Sequence, residues 1–85
     1  MTDDELPDYL IGPILRDLGF IDVLIHCAKH KGFVQEFDRL FGANLSQKGS
    51  VIELLVDQAS GRMDDDLRRF VWFVKRHVWE PIKPT

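Results

Sequence analysis

Two histidines, His26 and His30, are the first residues whose type and spacing could support chemistry. They stand four positions apart, so on an α-helix both imidazoles lie on one face, with Asp22 one turn earlier. Zinc can use such a pair, but a stable zinc site needs three or four ligands. In addition, Cys27 occupies the position where zinc proteases carry a catalytic glutamate. We therefore expect a solvated polar face here, with His26 and His30 as weak candidates for metal ligands.

Other sequence patterns of catalysis are also missing. Cys27, the only cysteine, stands among apolar residues, so we expect a buried thiol that does not react and cannot form an internal disulfide. The three consecutive residues Asp64–Asp66 point about 100° apart on a helix and cannot converge on one cation. The chain has no glycine-rich phosphate loop and no Gly-x-Ser-x-Gly motif. We predict that the protein is not an enzyme and has no cofactor.

The strongest functional signal is an aromatic and basic stripe near the end of the chain. Trp72 and Trp79 are seven positions apart and share a helical face with several arginines, beside a separate apolar stripe. Tryptophan and arginine are enriched at protein–protein hot spots, so we predict binding of a partner protein or of a second copy. The alternative is that neighbouring helices of the same chain cover both tryptophans. The predicted partner-binding residues are Arg68, Arg69, Trp72, Phe73, Arg76 and Trp79.

The acidic net charge suggests an alternative function, binding of a basic partner, and argues against binding of nucleic acid. With 14 acidic and 11 basic residues, the formal net charge is −3. An acidic inhibitor or immunity-type protein could bind a basic partner through Asp3, Asp4, Glu5, Asp8 and Asp64–Asp66. The same net charge argues against nucleic acid as the partner of the arginine stripe, because a phosphate backbone would be repelled.

Glycines at the edges of apolar runs divide the chain into about five helices. We predict an all-α fold around one core, with a first helix from Thr2 that is kinked at Gly12-Pro13. A second helix is predicted from about Phe20 to Lys31, with a core face of Phe20, Leu24, Cys27 and Ala28. A third helix, separate or continuous across Gly32, is predicted to end at Gly42, with a core face of Phe33, Phe37, Leu40 and Phe41.

Two further helices complete the prediction. Ser50 and Glu53 form a candidate capping box, and the helix that follows is expected to reach Ser60, with a buried stripe of Val51, Ile52, Leu55, Val56 and Ala59. The last and longest helix is predicted to begin at Met63 or Asp64 and to end before Glu80-Pro81. Its core stripe is predicted to be Leu67, Phe70, Val71, Val74 and Val78.

The length of 85 residues favours one domain over residues 1–85, with 81–85 as a short tail. The longest apolar runs are too short to cross a bilayer, and the start of the chain lacks the positive charge of a signal peptide. We therefore expect a cytoplasmic protein without a membrane partner. The sequence leaves open which protein it binds.

Overall fold

A computed structural model describes residues 13–57 and 64–83 of the chain. Within these ranges every regular element is helical and none is a strand, so the all-α prediction is confirmed. The predicted first helix and its kink lie mostly outside the described residues, although residues 13–15 are helical. The other elements are α1 (Phe20–Lys29), α2 (Lys31–Phe41), α3 (Val51–Asp57), α4 (Asp65–Val74), a π-helical turn (Lys75–Trp79) and α5 (Glu80–Ile82). The last three form one long C-terminal helix.

Helix α1 lies at the centre of the packing and contacts α2, α3, α4 and the π-helical turn. Its buried residues recur at helical spacing, so one face of the helix enters the core. These residues are the ones predicted from the sequence: Phe20, Leu24, Cys27 and Ala28.

The break between α1 and α2 falls at His30, two residues before Gly32, the position at which the sequence suggested a possible break. His30 has an extended ψ of 101°, and its Nδ1 accepts a hydrogen bond of 3.0 Å from the backbone N–H of Phe33. The ring thereby satisfies one of the N–H groups that a helix start leaves without a partner. Gly32 lies inside α2, where a Cβ would stand 3.2 Å from the His30 ring.

Helix α2 ends at Gly42 as predicted, but its buried face differs from the predicted one. Gly42 adopts a left-handed φ of 64° and closes the helix. Val34 and Phe37 are buried, whereas Leu40 is exposed. The prediction of Leu40 as a core residue was therefore wrong, because the covered side of the helix carries Val34 and Phe37 instead.

The loop after α2 is held by one carboxylate. Asp38 accepts hydrogen bonds from the backbone N–H groups of Leu45 and Ser46 and from the Ser46 hydroxyl. These bonds fix the chain while Ala43 and Leu45 enter the core. In α3, Val51 is buried as predicted, but Val56 is exposed. The predicted end of this helix near Ser60 lies outside the described residues.

The C-terminal helix begins as the sequence predicts. Asp64 is its N-cap, and its side chain accepts a hydrogen bond of 2.9 Å from the backbone N–H of Asp66. Lys48 binds both Asp64 and Asp66 and so ties the preceding loop to this helix start. The core stripe of Leu67, Phe70, Val71 and Val74 is fully buried, whereas Val78 is only half-buried.

The helix does not end before Pro81. It continues to Ile82, so the predicted tail from residue 81 is wrong by two residues. Pro81 lies in the first turn of α5, directly after the π-helical turn. Its missing N–H and fixed φ are tolerated at such a position. Within the described residues, no helix has the length and apolarity needed to cross a membrane.

Candidate partner-binding surface

Trp72 is the centre of the surface predicted to bind a partner. Its indole is half-buried, and two cations of the following turn approach the ring. The Nζ of Lys75 lies 5.9 Å and the Cζ of Arg76 lies 6.0 Å from the ring centroid. Both distances lie near the outer limit for attraction between a cation and the face of an aromatic ring.

Two arginines of the preceding turn form ion pairs with the start of their own helix. A nitrogen of Arg68 lies 3.3 Å from Asp65, and a nitrogen of Arg69 lies 3.8 Å from Asp66. Lys75 binds Glu80, which follows these residues along the C-terminal helix. Pairs that face water contribute only about 0–1 kcal/mol each. A partner's carboxylates could therefore replace them at little expense in free energy.

Trp79 does not lie on this surface. Only 6% of the residue is exposed, and its ring packs against Phe20 with 6.2 Å between the ring centroids. The indole N–H donates a hydrogen bond of 3.1 Å to the Asp17 carboxylate. The structure therefore places Trp79 in the core of its own chain, which is the alternative left open by the sequence.

The π-helical turn explains why the two tryptophans separate. The N–H of Glu80 donates to the carbonyl of Lys75, five residues earlier, whereas an α-helix bonds residues four apart. One extra residue in a turn rotates everything after it by about 100° relative to a regular helix. Trp79 therefore takes the inward direction that Val78 would have in an uninterrupted α-helix.

Phe73 also belongs mainly to the interior. Its ring centroid lies 5.5–5.7 Å from those of three rings of α2, and it contacts the His77 ring at 4.8 Å. Aromatic pairs at these distances favour tilted and edge-on contacts. Phe73 therefore joins α2 to the C-terminal helix. The α2 rings are those of Phe33, Phe37 and Phe41.

The structure does not assemble a metal site around the two histidines. His30 follows the end of α1 and uses Nδ1 to cap α2, so this atom is engaged by the backbone. Within residues 13–57 and 64–83, no group of three histidine, cysteine or acidic side chains is placed to hold a metal ion. Cys27 is buried, and this burial raises the pKa of its thiol.

The surface that the structure brings together is thus smaller than the predicted one. It consists of Trp72 and the basic residues Arg68, Arg69, Lys75 and Arg76, which we call the Trp72 surface. Sequence reasoning missed Lys75, although its position three residues after Trp72 places it on the same helical face.

Comparisons of the chain with protein-family models, with curated proteins and with solved structures found no match.

Proposed function

We propose that this protein is a small interaction or regulatory module, without catalytic activity, that binds a partner protein or a second copy through its C-terminal helix. The contact residue at the centre is Trp72, surrounded by the basic residues of the Trp72 surface. Phe73 and Trp79 act indirectly, because they anchor the helix that carries this surface.

The distribution of charge supports this proposal. Four of the 11 basic residues and none of the 14 acidic residues lie within residues 67–79. The remaining chain is strongly acidic, so the Trp72 surface is a local basic area on a negatively charged molecule. A half-buried tryptophan among arginines offers ring area and bidentate hydrogen-bond donors to the same partner. The partner segment is expected to carry carboxylates, and a second copy of this acidic chain would meet that requirement.

The alternative of an acidic inhibitor of a basic partner has weaker support. Asp64 and Asp66 both bind Lys48, and Asp65 lies beside Arg68. Pairing alone does not separate the two proposals, because Arg68, Arg69 and Lys75 are paired as well. The Trp72 ring, which has no counterpart beside these acids in the described part of the chain, favours the first. The other acids of that hypothesis, at positions 3, 4, 5 and 8, lie outside the described residues.

Self-association and partner capture test the proposal. Sedimentation velocity over a range of concentrations measures dimerisation of the wild type and of Trp72→Ala. Affinity capture with the same two baits identifies partners, and each captured protein is then purified and its dissociation constant measured. Arg39→Ala is the matched control, because Arg39 is an exposed arginine of α2 that pairs with Glu36 outside the Trp72 surface.

We expect Trp72→Ala to weaken the dimer or the complex at least about tenfold, as is typical of a hot-spot residue. Arg39→Ala should bind like the wild type, and circular dichroism should show that both variants are folded. The proposal fails if the wild type stays monomeric and Trp72→Ala binds every captured protein with unchanged affinity. Loss of binding at high salt with unchanged binding by Trp72→Ala would favour the acidic surface instead.

A further inference from the structure

A cleft separate from the Trp72 surface opens where α1, α2 and α3 meet. Its volume is about 380 Å³, and it is lined by the end of α1, the first turns of α2, part of the loop before α3 and the start of α3. This volume lies at the lower end of the range of about 300–1,000 Å³ that is usual for small-molecule sites.

The lining of the cleft combines an apolar part with a basic part. Ala28, Val34 and Val51 contribute apolar side chains that also belong to the hydrophobic core. Two exposed lysines, Lys29 and Lys31, also line the cleft, and none of the described residues in its lining is acidic. The cleft can therefore hold an apolar group and a negative charge at the same time.

The two lysines differ from the other lysines of the chain in their pairing. Lys48, Lys75 and Lys83 each form an ion pair with an acidic side chain. Among the ion pairs of the described residues, none includes Lys29 or Lys31. Both lysines line the same cleft, and neither forms an ion pair with a carboxylate of the described residues.

One ionised carboxylate, that of Asp38, bonds to the lining residue Ser46 but is not itself part of the lining. Asp38 uses both of its oxygens for hydrogen bonds to Leu45 and Ser46. Those bonds orient it towards the backbone of its own loop. Among the described residues that line the cleft, an anion would meet two lysines, with the Asp38 carboxylate separated from it by Ser46.

We propose that this cleft binds a small carboxylate with a short apolar tail. The tail lies against Ala28, Val34 and Val51, and the carboxylate lies between Lys29 and Lys31. Ala28, Val34 and Val51 are only 8%, 3% and 5% exposed, so the half-buried Ile52 supplies most of the apolar surface. The lysines select for the negative charge. This site is independent of the proposed partner surface, since the two share no residue.

Octanoate is the probe for this proposal, and two reference compounds separate its parts. Octanol has the same tail without a charge, and inorganic phosphate has a charge without a tail. Backbone amide NMR shifts of the full chain are followed during titration with each compound. The double variant Lys29→Ala/Lys31→Ala removes the charge at the cleft, and Lys83→Ala is the control because Lys83 pairs with Glu80 elsewhere.

We expect octanoate to saturate with a dissociation constant below about 1 mM, with the largest shifts in residues 28–34 and 46–52. The double variant should bind octanoate at least about fivefold more weakly than the wild type does. Lys83→Ala should bind it as the wild type does. Octanol and phosphate should each bind at least about fivefold more weakly than octanoate. The proposal is overturned if octanoate does not saturate, if its shifts fall elsewhere, if the double variant binds like the control, or if either reference compound binds as well.

Discussion

Trp79 packs directly on Gly19, so closely that a Cβ added to the glycine would stand 2.9 Å from the indole Cη2. Gly19 also has a positive φ of 83°, which side chains rarely adopt. Two separate requirements therefore select glycine at this position. The contact joins the turn before α1 to the π-helical turn near the end of the chain.

Gly19→Ala is expected to lower the free energy of unfolding by about 2–4 kcal/mol, because backbone strain adds to the clash with the indole. Gly42→Ala is the matched control. Gly42 also has a positive φ, but no atom lies within 4 Å of an added Cβ, so only the strain of about 1–2 kcal/mol remains. Urea denaturation of both variants gives the comparison. Equal losses would show that Trp79 does not restrict position 19.

The two tryptophans should respond differently to the same substitution. Trp79→Phe removes the hydrogen bond to Asp17 and part of a buried ring, so we expect a loss of about 1–3 kcal/mol in unfolding free energy. Trp72→Phe changes a half-buried position, so it should lower the free energy of unfolding by less than about 1 kcal/mol.

Fluorescence provides a second measurement on the same pair. Each variant contains one tryptophan, and the emission of Trp79 should lie at a shorter wavelength than that of Trp72, because Trp79 is shielded from water. Similar emission maxima and similar stabilities would contradict the separation of the two rings.

These contacts show which features of the fold could be predicted from the sequence. The core face of α1, the end of α2 at Gly42 and the Asp64 cap depend on residues within one or two turns of each other. Periodicity and capping rules describe such local relationships. The position of Trp79 depends instead on an extra residue in a helical turn and on a hydrogen bond to Asp17, which lies 62 positions earlier.

The candidate surface could be predicted only in part for the same reason. A regular helix places residues 72 and 79 on one face, whereas the π-helical turn moves the second ring inward. Leu40 shows a related effect. Its spacing fits the apolar stripe of α2, but the buried side of the helix carries Val34 and Phe37.

The cap formed by His30 predicts opposite effects for two substitutions. His30→Ala removes the acceptor for the Phe33 N–H and should destabilise the protein by about 1 kcal/mol. His30→Asp supplies a better cap and a negative charge at the positive end of the α2 dipole. The free energy of unfolding of this variant should therefore equal that of the wild type or exceed it by up to about 1 kcal/mol. Thermal unfolding measures both. If the two variants lose the same stability, the imidazole has a role other than capping.

Asp38 should contribute a component of acid unfolding. Desolvation raises the pKa of its carboxyl, but the hydrogen bonds from Ser46 and Leu45 outweigh this and hold the pKa below its usual value of 3.8. A carboxylate whose pKa is lower in the folded state stabilises the fold at pH values above its pKa in the unfolded chain. That contribution is lost as the pH falls through the folded-state pKa.

The variant Asp38→Asn isolates this contribution. At neutral pH it should be less stable than the wild type by about 1–3 kcal/mol, because an amide cannot accept all three bonds as a carboxylate does. The difference should shrink as the pH falls from 3.8 through the lower folded-state pKa, below which both proteins carry an uncharged group. Urea denaturation at a series of pH values measures it. A difference that is constant down to the lowest pH would contradict the assignment.

Cys27 reports whether the core opens. Its side chain lies on the buried face of α1, and burial raises the pKa of the thiol, so both access and thiolate formation are restricted. A thiol reagent should therefore modify the folded protein at least about 100-fold more slowly than the chain in denaturant. Gly19→Ala should accelerate the modification by about tenfold for each 1.4 kcal/mol of stability that it loses, because both residues belong to the same packed unit around α1. Gly42→Ala should accelerate it less, in line with its smaller strain. Modification that is as fast in the folded protein as in the unfolded chain would contradict the burial of Cys27. A rate that does not change with stability would instead indicate a local opening of α1.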